Sequence, residues 1–405
     1  MFLIPKKIQY ILNVLNANGY QAYIVGGCVR DFLMNMQPHD YDITTDALPD
    51  QIEDCFSQHT ILNYGKQHGT VCILIDNSTV EITTFRIDGD YTDHRRPDNV
   101  IFTNKLINDL SRRDFTINAI AYSLNDGIVD PFNGTQDINS KIIRTVGNSD
   151  NRFNEDALRI LRALRFSSKL SFSIEKKTCQ SIIKNYKTLK YISKERIQVE
   201  LNKTLLGENI SCIIMHYHEI IKYIVFDNIY CEIDWQEIKS LFENSPTILE
   251  YRLAFLFLNL NIEAIESLLN NLKYSNEIKN HVLFLVENAN LRIDDDRLSI
   301  KRILQKIDDR FDYLLDFQKV IYNVLPKHSP YKKNCFEKTK STKNAILKAK
   351  ECYKISHLAI NGNDLIKLNL LGKQIKSALD LVLEKVITGA LKNDKDEILK
   401  YLKHH

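Results

Sequence analysis

Asp40 and Asp42 stand two residues apart, shortly after the double glycine in Ile24-Val25-Gly26-Gly27-Cys28-Val29-Arg30-Asp31. On an extended segment the period of two sends both carboxylates to one face, within reach of the same cations. Such a pair suits two Mg2+ ions, because Mg2+ favours one or two carboxylates completed by substrate phosphates. Ions so held stabilise the attacking and leaving oxygens of an in-line phosphoryl or nucleotidyl displacement. The glycines fit the same chemistry. At a strand-to-helix turn they let the backbone approach a ligand closely, and the N–H groups opening the next helix favour phosphate, so a triphosphate tail fits there. Each piece alone has an ordinary reading, a common turn or a solvated acidic loop. Their order, strand, glycines, helix, carboxylates, points to nucleotidyl transfer.

The elements that must position these groups are visible in the punctuation of the chain. Nine of the 13 glycines precede residue 148, none falls between 208 and 361, and no proline falls between 132 and 245. Turn chemistry is therefore concentrated in the first third, and the remainder is expected to be helical. Tyr23–Val25, Val71–Ile75 and Val80–Phe85 read as strands of a small mixed α/β domain. Before them, Ile8, Ile11, Leu12 and Leu15 recur at helical spacing in Lys6–Ala17, and Asn18-Gly19 is a helix stop. Beyond residue 150, Ile197–Leu206, Trp235–Phe242, Ile248–Leu258 and Ile262–Leu272 read as successive helices without a fixed repeat.

Composition sets outer bounds on function. The 405 residues, 44% hydrophobic and 26% charged, exclude a disordered or fibrous chain and predict two or three domains. No apolar run reaches the roughly 20 residues needed to span a bilayer, and Lys6 and Lys7 are not followed by a signal-peptide core, so a cytoplasmic protein is expected. The eight cysteines lack Cys-x-x-Cys pairs and zinc spacing, which predicts idle thiols. Net charge is only +3, but residues 301–405 carry 22 Lys+Arg against 12 Asp+Glu, leaving the first 300 residues net negative. The basic end is suited to a polyanion, or is a solvated lysine-rich surface.

Five motifs in order resemble the class II tRNA nucleotidyltransferases, the bacterial CCA-adding enzymes and their poly(A) polymerase relatives. They are Gly26-Gly27-x-Val29-Arg30-Asp31 with Asp40-x-Asp42; Arg112-Arg113-Asp114-Phe115-Thr116-Ile117-Asn118-Ala119; Asp130-Pro131 with Gly134 and Asp137; Glu155-Asp156-x-x-Arg159-x-x-Arg162-x-x-Arg165-Phe166; and Ser193-x-Glu195-Arg196-Ile197. The resemblance implies an α+β chain: a mixed α/β nucleotidyltransferase head (1–147), then an all-helical neck (148–206), body (207–300) and basic, tRNA-binding tail (301–405). It implies template-independent addition of C, C and A to the 3′ end of tRNA from CTP and ATP, with Mg2+ on Asp40 and Asp42.

Residue roles follow from the same resemblance. Gly26, Gly27, Arg30, Arg113 and Arg162 are expected at the triphosphate, with Asp114 and Asn118 in support. Taken as one helix at 100° per residue, Glu155–Phe166 puts Asp156 at 0° and Arg159 at 300°, on one face opposite an apolar arc. A carboxylate accepts and a guanidinium donates, so the pair matches the amine and ring nitrogen of cytosine or adenine and opposes like groups to uracil and guanine. The resemblance makes Asp156 and Arg159 the selectors of CTP and ATP; the plainer alternative is a Glu155–Arg159 surface ion pair. Arg165 is either a nucleotide ligand or a buried anchor. Glu81, in the strand Val80–Phe85, is a third carboxylate, the base for the primer hydroxyl, or a sheet-edge glutamate. Asp130–Asp137 is expected to couple head and neck and is assigned no chemistry.

Three further segments choose among relatives. Asp88–Pro97 is similar to the loop that CCA-adding enzymes use for the final adenosine, favouring full CCA addition or A-addition alone. The poly(A) polymerase signature is missing around Tyr64–Thr70, which makes polyadenylation the runner-up. His39-Asp40 has no downstream partner for a phosphohydrolase cluster. In the tail, Leu358–Leu365 and Leu379–Gly389 resemble the segments that grip the tRNA elbow, while Lys376 replaces a usual glycine after Gly372. Lys327, Lys332, Lys333, Lys338, Lys340 and Lys343 form the densest basic cluster, suited to RNA phosphates. A non-catalytic RNA-binding protein is the alternative of another class; the intact Asp40, Asp42 and Arg113 argue against it.

Overall fold

The computed structural model describes residues 4–38, 40–62, 65–89, 91, 99–227, 232–329 and 335–404. Helix α1 (Lys6–Ala17) buries Ile8, Ile11, Leu12 and Leu15 completely, and Gly19 at φ +85° lets the chain turn into strand β1 (Ala22–Val25). Then come α2 (Gly27–Leu33), β2 (Asp42–Thr45), α3 (Pro49–Cys55), β3 (Thr60–Leu62), β4 (Thr70–Ile75), β5 (Ser78–Thr84), β6 (Arg86–Asp88) and β7 (Val100–Phe102). Helix α4 (Leu106–Ser111), β8 (Ala121–Ser123), β9 (Gly127–Val129), α5 (Gly134–Asn139) and β10 (Ile142–Ile143) follow.

Seven strands form one sheet in the order β3-β4-β5-β2-β1-β8-β9, antiparallel except where β2 lies parallel to β5. Val25 at the end of β1 pairs with Asp42 at the start of β2. That register brings the Gly26 turn and the Asp42 carboxylate to the same end of the sheet. Tyr23, Val25, Phe85, Leu106, Leu110, Ala119, Ala121 and Val146 form the core beneath it.

From α6 (Ser149–Glu155) onward the chain is helical, through α7 (Leu158–Leu170), α8 (Lys176–Asn185), α9 (Lys194–Leu205) and α10 (Ile210–Val225). The exception is a two-residue strand, β11 (Ser173–Ile174), parallel to β10. The expected single helix over Glu155–Phe166 is broken: Asp156 is extended, at φ −133° and ψ 103°, between α6 and α7. Its Oδ1 accepts the Leu158 N–H at 3.0 Å. An aspartate that caps the next helix in this way competes with helix continuation through its own position. The 100° arithmetic therefore does not extend back to Asp156.

Residues 1–231 with 268–274 form one compact unit, and residues 232–267 with 275–405 a second. The second holds α11 (Trp235–Glu243), α12 (Leu249–Phe257), α13 (Ile262–Asn271, its last turn in the first unit), α14 (Asn276–Glu287), α15 (Arg297–Ile307), α16 (Phe311–Val324), α17 (Phe336–Lys348), α18 (Gly362–Ile366), α19 (Lys373–Ile387) and α20 (Lys395–Lys403). Leu365, Val382, Leu383 and Ile398 anchor its C-terminal core. The basic cluster is partly neutralised there: Lys338, Lys340 and Lys343 pair with Asp295, Asp316 and Asp312 at 3.0, 3.6 and 2.6 Å. Lys332 and Lys333 lie outside the described residues, as do Tyr64, His39 and most of Asp88–Pro97. No helix among the described residues is long and apolar enough to cross a membrane.

Candidate active site

A cleft of about 870 Å³ in the first unit gathers residues from four of the five motifs. Nine Arg and Lys side chains line it against four Asp, so it is built for a polyanion. Its floor is the Gly26 turn. Gly26 has φ +82°, and a Cβ there would stand 3.0 Å from Arg113 Nη1 and 3.9 Å from Asp42 Oδ2. Glycine is needed here both for the left-handed backbone and for the approach of these two groups. Gly27 lines the cleft and opens α2.

Asp40 and Asp42 both face the cleft, as the period of two predicts. The surrounding protein pushes the Asp42 carboxyl above its ordinary range; the Arg113 charge opposes this and the Asp40 charge adds to it. No described residue donates a hydrogen bond to either carboxylate or forms an ion pair with it. Two oxygen-donor side chains that face one cleft with no hydrogen-bond or ion-pair partner among the described residues fit a hard divalent cation. They are only two: among the described residues no third Asp, Glu, His or Cys joins them as a metal ligand. Glu81 is the parallel register partner of Asp42, but it does not line the cleft, and its charge acts on the Cys72 thiol opposite it in β4.

The arginines divide by what already holds them. Arg30 is buried, with Nε and Nη2 donating to Asp31 Oδ1 at 2.9 and 2.6 Å and Nη1 to Asn118 Oδ1 at 2.6 Å. It braces the wall, and all three of its nitrogens are engaged. Asn118 in turn donates to Asp114 Oδ1 at 3.1 Å. Arg162 binds Asp114 Oδ2 through Nε at 2.7 Å and Nη2 at 2.5 Å. Burial pushes the Asp114 carboxyl up, but Arg162, Asn118 and Arg159 outweigh it and bring it down to about 2. Arg113 is held by Asp109 at 3.3 Å, and its buried Nε has no hydrogen-bond partner. Arg165 pairs with Glu200 at 3.2 Å and lines the cleft.

Asp156 and Arg159 reach the same cleft. Asp156 Oδ2 accepts from Arg196 Nη2 at 3.1 Å. Arg159 also makes the plainer contact: Nη1 donates to Glu155 Oε2 at 2.6 Å, while Nη2 donates to Arg112 O at 3.0 Å. Pocket lining and ion pair are properties of the same side chain.

Residues 22–144 match the Poly A polymerase head domain, 171–224 an RNA-binding site of polymerase A, and 249–402 the tRNA nucleotidyltransferase domain 2. The chain is 36% identical to a CCA-adding enzyme of Staphylococcus saprophyticus over 399 residues, covering 97% of this chain and 96% of that one. A CCA-adding enzyme of Staphylococcus epidermidis is 35% identical over 417 residues, covering 99% and 98%. The chain belongs to the CCA-adding enzyme family of tRNA nucleotidyltransferases. Its fold matches the crystal structure of the Bacillus stearothermophilus CCA-adding enzyme in complex with CTP, with a TM-score of 0.78, 27% identity and coverage of 99% and 98%.

Within this family architecture the cleft has a basic rim that motif reading left unassigned: Lys169 on α7, and Lys203 with Arg196 on α9. Spacing held the signal. Lys169 follows Arg162 by seven residues and Arg165 by four, and Lys203 follows Arg196 by seven, so each falls on the face of a motif arginine. The Asp130–Asp137 stretch lies behind the site. Asp130 accepts the Gly134 and Thr135 N–H groups at 2.7 and 2.8 Å, and Asp137 accepts from Thr116 Oγ1 at 2.6 Å, which fixes the turn carrying Asn118.

Proposed function

We propose that this chain adds C, C and A in turn to the 3′ end of tRNA from CTP and ATP, in the cytoplasm where those substrates meet. What supports this reading best is that Asp40 and Asp42, unpaired among the described residues, share one strongly basic cleft with Asp156 and Arg159. Enzymes of this family use divalent metal ions, and Asp40 and Asp42 are the residues proposed to hold Mg2+. Bound there, Mg2+ would supply Lewis-acid activation of the primer hydroxyl and neutralise charge on the departing pyrophosphate.

The protein's own groups divide the remaining work. Arg113, whose buried Nε has no hydrogen-bond partner, and Arg162 and Arg165, which line the same cleft, orient the triphosphate; charge-assisted hydrogen bonds of this kind are the stronger ones. Arg30 and Asn118 fix the wall behind them, and Gly26 and Gly27 keep the floor close. Asp156 and Arg159 select the base, Arg159 exchanging Glu155 for the acceptor edge of cytosine or adenine. Head, neck, body and tail at 1–147, 148–206, 207–300 and 301–405 remain the working division of labour, the tail holding the tRNA elbow.

The test is incorporation on tRNA transcripts ending before CCA, after C and after CC, with CTP and ATP separately and together, Mg2+ present or chelated. Addition of CCA followed by arrest is the expected result. A alone on the CC-ending transcript would make this an A-adding enzyme, long adenosine tracts a poly(A) polymerase, and binding without incorporation a non-catalytic RNA-binding protein.

A further inference from the structure

Three guanidinium groups surround one buried ring. The guanidinium carbons of Arg30, Arg162 and Arg165 lie over the Phe166 ring at 5.1, 5.5 and 4.2 Å from its centroid. Phe166 is 6% exposed and lines the cleft, and Phe115 meets its ring edge-on at 5.7 Å with an interplanar angle of 82°. Each guanidinium has one carboxylate of its own: Asp31 for Arg30, Asp114 for Arg162 and Glu200 for Arg165. The three come from two elements, α2 and α7, and the ring is what they share.

Three like charges converging on one side chain repel each other. Burial lowers the Arg165 pKa first, and the Arg162 and Arg30 charges lower it further against the opposing pull of Glu200 and Asp114. An aromatic ring offsets such crowding because its face is electron-rich, attracting cations within about 6 Å and more strongly where water is excluded. An aliphatic side chain of equal volume fills the space without that attraction.

We infer that Phe166 is a positioning residue for nucleoside triphosphate binding, its ring holding Arg162 and Arg165 in the poses that receive the phosphates and Arg30 in its bracing pose. This rests on the reading of the cleft as the triphosphate site. Because the ring acts on phosphate ligands and not on the base, CTP and ATP depend on it alike.

Fluorinated phenylalanines test this with almost no change of shape, since each added fluorine withdraws electron density from the ring face. The full chain carrying mono-, di- and trifluorophenylalanine at position 166 is titrated with CTP and with ATP in Mg2+, alongside cytidine and a thermal melt. Dissociation constants for both nucleotides are expected to rise step by step, roughly tenfold across the series, with cytidine binding unchanged and a single cooperative melt retained by every variant. A flat series, or a rise for one nucleotide alone, overturns the assignment. Arg162→Ala separates the role of the ring from that of the cleft. If it weakens CTP and ATP binding while the fluorinated series is flat, only the role of the ring fails. If Arg162→Ala leaves both affinities unchanged, the triphosphate reading of the cleft fails as well.

Discussion

Asp156 performs two duties with one carboxylate, and they can be separated. Oδ1 caps α7 through the Leu158 N–H, and Oδ2 faces Arg196 in the cleft. Asp156→Asn keeps an acceptor for the cap, which is worth about 1 kcal/mol, while placing a donor on the carboxamide where selection needs acceptors only. The variant is expected to melt within a few degrees of the parent and to lose about 10- to 100-fold of its discrimination between CTP and UTP, the range of a hydrogen bond to a charged group. Competition assays with the two nucleotides check this. Unchanged discrimination would return Asp156 to a purely structural role. The plain Glu155–Arg159 ion pair and the selecting role compete for the same guanidinium, which sequence reading treated as exclusive alternatives. The structure contains the pair; on the proposed reading, base recognition displaces it.

At the scale of elements, the parts of the fold set by periodicity were legible. Lys6–Ala17 is a helix because four apolar residues recur on one face, and β1, β4 and β5 follow their β-branched runs. The carboxylate pair and the glycine turn were legible for the same reason, since local spacing carries their geometry. What failed to show was tertiary. The break at Asp156 comes from a side chain capping the following helix, a contact that periodic patterning does not encode. The place of Glu81, in register with Asp42 but not among the residues lining the cleft, depends on which strands neighbour β5, and the ring beneath three arginines depends on α2 meeting α7. Gly134 illustrates packing of this sort: a Cβ there would stand 2.2 Å from the Thr116 carbonyl oxygen. Gly134→Ala must push away the turn that carries Asn118, which overpacking data put at about 1–3 kcal/mol. A fall in melting temperature of roughly 3–10 °C is expected in calorimetry. An unshifted melt would mean that α5 and this turn are not tightly coupled.

Across the whole molecule, charge rather than shape sets the response to solution conditions. Asp114 is buried and its folded carboxyl lies at about 2, below the ordinary unfolded value near 3.9. A group whose folded pKa is depressed contributes stability above its unfolded value and loses it as pH falls through the folded one, so this contribution is intact at pH 5 and declines from about 4 towards 2. Its size is roughly 2–3 kcal/mol. Urea midpoints taken from pH 5 to pH 3 are expected to fall less steeply for Asp114→Asn than for the parent, and equal slopes would place the acid sensitivity elsewhere. The basic end of the chain is less free than its composition suggests, because Lys338, Lys340 and Lys343 each have a carboxylate within 4 Å. Asp40 and Asp42 form the proposed reaction centre of this molecule. It is tested most directly by single-turnover incorporation in Asp42→Asn at saturating Mg2+ and nucleotide, with CTP affinity measured in parallel. The expected result is a loss on the order of a thousandfold in the rate for CMP and AMP alike, with CTP still bound. A rate close to the parent's would contradict it.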